Sequence, residues 1–101
     1  MIPFNIYNRF TGAVQFTAEI DCDETATIGI KLRFAVKWAI ENKVNMSGAI
    51  LSSANLYRAK LIGADMSSAI LSSANLSSAD MSYADMSYAD MSYADMSYAD
   101  M

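Results

Sequence analysis

From Met46 to Met101 every fifth residue is a leucine or a methionine: Met46, Leu51, Leu56, Leu61, Met66, Leu71, Leu76, Met81, Met86, Met91, Met96 and Met101. An alanine stands two places before each centre from Ala49 to Ala99. The residue between them is usually Asn or Asp, and the two that follow the centre are small or polar. A fixed short period over more than half of a chain marks a repeat architecture and excludes most globular folds. A second period lies on top of the first. The segment from Met46 to Leu56 reappears twenty residues later from Met66 to Leu76, so four pentapeptides make one structural unit.

A chain of 101 residues has room for one compact unit with a modest core. Stacked repeats ease that limit, because each turn buries its inward residues against the next. The alanines and central residues supply the inward column.

Charge is segregated along the chain. All seven Lys and Arg, from Arg9 to Lys60, precede Leu61, whereas Asp65, Asp80, Asp85, Asp90, Asp95 and Asp100 follow it with no counter-charge. An acidic block of this kind repels nucleic-acid phosphates and suits a basic partner; the alternative is a face that serves solubility alone. His is absent and Cys22 is the sole cysteine, which fits a reduced cytoplasmic setting. Neither a signal peptide nor an apolar run long enough to span a bilayer is visible.

Residues 1–43 precede the repeats and read as a cap. Residues 4–20 suggest a hairpin, with Val14, Phe16, Ala18 and Ile20 alternating with polar residues and Thr11-Gly12 as the turn after Phe4, Ile6 and Phe10. A helix is expected from about Thr27 to Asn42, with Ile28, Leu32, Ala35, Val36, Ala39 and Ile40 on one face and Phe34 and Trp38 widening it. Covering the open end of the first repeat turn is the simplest role for both.

Units such as Ala54-Asn55-Leu56-Tyr57-Arg58 and Ala79-Asp80-Met81-Ser82-Tyr83 resemble those of pentapeptide-repeat proteins. The resemblance covers residues 44–101 and implies a right-handed, four-sided β-helix with one unit per side, here with an N-terminal α/β cap. Departures are Ile50, Ile70 and Lys60 where Asn or Asp is usual, and methionine at many centres, which an apolar column accommodates. In that geometry Ala and the centres point inward, and residues twenty apart stack on four outer faces: Asn45, Asp65 and Asp85; Ile50, Ile70 and Asp90; Asn55, Asn75 and Asp95; Lys60, Asp80 and Asp100. Tyr83, Tyr88, Tyr93 and Tyr98 then form a belt, one to a face.

Strands about 4.8 Å apart would place the six carboxylates within roughly 10 Å, about one charge per 1.6 Å. Duplex DNA carries one per about 1.7 Å. Tyrosine beside aspartate also suits a protein interface, although repeat expansion alone could account for four identical units. The surface expected to bind a partner is therefore Asp65, Asp80, Asp85, Asp90, Asp95 and Asp100 with Tyr83, Tyr88, Tyr93 and Tyr98.

Catalysis has little to draw on. Cys22 sits between Asp21 and Asp23, the opposite of the electropositive setting of a reactive thiolate, and no phosphate loop or Cys/His metal cluster is present. No enzyme, cofactor or metal is expected. The resemblance extends to small phage-encoded anti-CRISPR proteins of this family directed at type I-C systems, and implies an inhibitor that blocks target-DNA recognition by the Cascade complex. Two other functions compete with it: a DNA mimic that binds DNA gyrase, as in quinolone resistance, and a self-assembling module whose C-terminal coil forms a homodimer.

Overall fold

The computed structural model describes all 101 residues. Strands β1 (Ile2–Tyr7) and β2 (Val14–Ile20) pair antiparallel, with Ile2 opposite Ile20 and Phe4 opposite Ala18. Asn8 organises the turn between them: its Oδ1 accepts from the N–H groups of Phe10 and Thr11 at 2.8 and 3.1 Å, and its carbonyl accepts from Gly12 at 2.9 Å. Gly12, at φ +72°, supplies the left-handed residue. Alternation along the hairpin sends Ile6, Ala18 and Ile20 into the core. Phe10, expected among the strand residues, lies in the turn and is exposed.

Helix α1 runs Ile28–Glu41. The Thr27 hydroxyl caps it, accepting from the Ile30 N–H at 3.3 Å. Leu32, Ala35, Val36 and Ala39 form the buried face. Ile28, assigned to that face from its spacing, is mostly exposed in the helix's opening turn. Trp38 stacks on Phe16 of β2, ring centroids 6.1 Å apart and 13° from parallel, and so packs the cap.

Residues 46–65, 66–85 and 86–101 make three successive turns of a β-helix-like coil. Parallel bridges join Ile50 to Ile70, Asn55 to Asn75, Lys60 to Asp80 and Asp65 to Asp85, and continue to Asp90, Asp95 and Asp100, so each turn takes four pentapeptides. Three interlocking ladders hold the turns together, one of them running from the N–H of the second residue after each centre to the carbonyl nineteen residues on, as in Ser53→Ser72 at 2.9 Å. Each central N–H donates to the carbonyl nineteen residues on, from Met46→Asp65 to Met81→Asp100, at 2.6–3.3 Å. The N–H just before the centre donates back to an alanine carbonyl, from Ile70→Ala49 to Asp100→Ala79, at 2.9 Å.

Between ladders each unit closes a tight turn, in which the alanine N–H donates to the carbonyl of the centre three residues earlier, as in Ala54→Leu51 at 3.2 Å. The second residue after the centre has positive φ, as a type II turn demands. Glycine fills that place only at Gly48 and Gly63; Ser53, Arg58, Ser68, Ser73, Ser78 and the four repeat tyrosines fill it elsewhere.

The cap takes the place of a missing earlier turn on two sides. The Ile50 N–H donates to the Tyr7 carbonyl at 2.9 Å, and the Asn55 N–H to the Gly29 carbonyl at 3.0 Å. Arg33 adds bonds from Nη1 to the carbonyls of Tyr57 and Asn55 at 2.7 and 3.3 Å. One apolar core runs without a break from Ile6 and Ala18 through α1 into Leu51, Leu56, Leu61 and Met66, reaching Met81.

Candidate partner-binding surface

The carboxylates are built by a local motif, Asp-x-Ser. In the units starting at Asp65, Asp80, Asp85, Asp90 and Asp95, one carboxylate oxygen accepts twice from the serine two residues on. Its N–H donates at 3.0–3.1 Å and its hydroxyl at 2.6–2.7 Å. Asp and Asn favour such turns because their short side chains imitate a backbone carbonyl. Asn75 makes the same pair of bonds to Ser77 at 3.0 and 2.6 Å, so the turn requires an oxygen acceptor and not a charge.

At Asp80, Asp85, Asp90 and Asp95 the doubly donated oxygen also favours the ionised form. The Ser82, Ser87 and Ser97 hydroxyls, followed by their N–H groups, hold Asp80, Asp85 and Asp95 below the ordinary 3.8. At Asp90 the Ser92 N–H leads and its hydroxyl follows, with the Arg9 charge adding to them.

All the residues expected to form the surface lie on the coil, but they do not share one face. Asp65 stacks on Asp85, Asp80 on Asp100, while Asp90 follows Ile70 and Asp95 follows Asn75. Two of the six carboxylates have a cation nearby. Lys60 stacks directly over Asp80, and Arg9, whose Nη1 donates to the Ser68 carbonyl at 3.0 Å, is close enough to act on Asp90. The view of an acidic half without counter-charge thus holds along the sequence and is corrected in space at these two positions.

Tyr83, Tyr88, Tyr93 and Tyr98 are 90–93% exposed and all occupy the left-handed region, φ 59–61°. Their rings gain almost no burial within the chain, and their backbone carries strain that bulky residues normally avoid. Sequence reasoning overlooked two contributors. Ser67, Ser82, Ser87, Ser92 and Ser97 fix each carboxylate, and the Asp-x-Ser spacing would have revealed them. Arg9 arrives from the hairpin, and nothing in its local sequence announces that.

No helix is long and apolar enough to cross a membrane, and no group of three or more His, Cys, Asp or Glu is arranged to hold a metal. No curated protein and no solved structure matches the chain significantly. The family model for pentapeptide repeats (8 copies) matches residues 38–67 and 69–101, more than half of the chain and nearly all of the coil. The period, the twenty-residue stacking and this match agree: the chain belongs to the pentapeptide-repeat family.

Proposed function

We propose that this protein is a non-catalytic inhibitor whose acidic coil, a right-handed and four-sided β-helix, occupies a basic DNA-binding surface on another protein in place of DNA. The observation that carries this reading is the Asp-x-Ser ladder. It fixes carboxylates at regular spacing on a rigid coil and keeps them charged, which is how a phosphate backbone presents itself to lysine and arginine. Preset geometry lowers the ordering cost of binding. The exposed tyrosine belt lies among these carboxylates and adds rings that stack on guanidinium groups. Lys60 and Arg9 temper the charge at Asp80 and Asp90, leaving Asp65, Asp85, Asp95 and Asp100 to dominate the field.

The target most consistent with the family resemblance is the Cascade complex of a type I-C CRISPR system, met in the bacterial cytoplasm by a phage-encoded anti-CRISPR protein. A pull-down tests it: tagged protein in lysate carrying a type I-C system, washed at low and at high salt and read by mass spectrometry. Recovery of Cascade subunits that fades with salt supports the proposal. Recovery of DNA gyrase instead redirects the mimic to that enzyme, and recovery of the protein alone rejects both targets and leaves self-association through the C-terminal coil.

A further inference from the structure

The cap completes the backbone ladder of the first turn at Ile50 and Asn55 but leaves the other two sides, at Lys60 and Asp65, open. By the same geometry the N–H of Lys60 points toward the cap, yet it has no acceptor in the protein. Lys60 lines a cleft of about 480 Å³ between α1 from Arg33 onward and residues 56–61 of the coil. Small-molecule sites fall at roughly 300–1,000 Å³.

The lining is uneven in a way that selects a ligand. Its apolar part comes from Phe34 and Ile40 of α1 and from Ala59 and its neighbours on the coil. Arg33, Lys37, Arg58 and Lys60 also line it, against a single acid, Glu41. Four of the seven cations of a net acidic chain thus meet at one cleft, drawn from two separate segments. Arg33 is anchored on two coil carbonyls and Arg58 lies over the Tyr57 ring at 5.3 Å, so both guanidinium groups are held in place.

We propose that this cleft is a binding site for a small organic carboxylate with an apolar body, such as an aryl or short aliphatic acid. The carboxylate accepts from the free Lys60 N–H, restoring the bond that Ile50 and Asn55 make to the cap, and is surrounded by the cations. The body lies against Phe34, Ile40 and Ala59. A neutral apolar ligand leaves the charges unanswered, and an inorganic anion leaves the apolar wall wet. The site adjoins the acidic surface at Lys60, which stacks over Asp80, but does not depend on the function proposed for that surface.

The test is an amide NMR titration of the intact chain with 4-phenylbutyrate and, in parallel, with its neutral primary amide. Saturable shifts from the acid that centre on Lys60 and neighbouring α1, with at least about ten-fold weaker binding of the amide, are expected. The double variant Lys37→Glu/Arg58→Glu should weaken the acid by about ten-fold or more, and Lys31→Glu, on the same helix but outside the cleft, by less than about two-fold. Shifts centred on the third turn, equal binding of acid and amide, or indifference to the double reversal would overturn the proposal. So would line broadening that grows with protein concentration and is relieved by removing the aspartates, which would seat a second copy's acidic coil in the cleft.

Discussion

In the first turn of the coil, Leu51, Leu56 and Leu61 are fully buried, the cap covers the upper side and the second turn covers the lower. In the third turn Met86, Met91 and Met96 are partly rather than fully buried, Met101 is 76% exposed, and the chain supplies a neighbour on one side alone. Both turns follow the same five-residue rule. Burial in a solenoid is therefore set by position in the stack more than by the unit itself. Charge divides the same way: the cations gather around the cap, and the carboxylates become dense where the core is thinnest. A chain so arranged has its stability at one end and its most exposed chemical features at the other.

Truncating the buried column should give the widest separation between the two ends. Leu61→Ala is expected to cost about 2–5 kcal/mol, and Met91→Ala less than about 1.5 kcal/mol, measured by urea denaturation. Equal losses would remove the distinction between turns. A somewhat smaller effect is expected at the junction with the cap. A Cβ at Gly29 would lie 2.8 Å from the Ser53 carbonyl oxygen, a backbone atom that cannot swing aside. Gly29→Ala should therefore destabilise by about 1–3 kcal/mol despite alanine's better helix propensity, and accelerate amide exchange at Asn55, whose N–H bonds to Gly29.

Much of this was legible because the strict period is a local, redundant signal: it fixed Asp65 over Asp85 and Ile50 over Ile70 from numbering alone. Helix α1 was legible to within a residue at each end through its apolar spacing, while Thr25 and Thr27 were equal candidates for the cap that Thr27 supplies. Ile28 misled because an apolar residue at a helix start satisfies the spacing without reaching the core. The left-handed tyrosines were not legible, since tyrosine disfavours that conformation and only the repeated turn imposes it. Arg9 beside Asp90 depends on how the hairpin docks, a long-range event that no sequence period encodes.

Acid should act mainly on the carboxylate-rich end. Asp80, Asp85, Asp90 and Asp95 have native values below the ordinary 3.8, so the unfolded chain takes up protons first. Their stabilising contribution is present above that value and is lost as pH falls through the lower native ones. Changing all four to Asn keeps the turn acceptor, as Asn75 illustrates, and should flatten the acid dependence of unfolding followed by circular dichroism. A dependence that stays as steep would mean that other groups govern it.

The smallest effect is expected at the tyrosine belt. Tyr93→Asn places a residue tolerant of the left-handed region where the ring gains almost no burial, and should raise stability by about 0.5–1 kcal/mol. A loss instead would show that the exposed ring supports the fold.

The central claim, that the acidic end stands in for DNA, is tested most directly by displacement of fluorescent target duplex from type I-C Cascade, followed by anisotropy at two salt concentrations. The account predicts that the protein displaces DNA less effectively as salt rises. It further predicts that the variant with Asn at Asp65, Asp85, Asp95 and Asp100 is about 100-fold weaker with an unchanged circular dichroism spectrum. Displacement by that variant equal to the original protein's would contradict it.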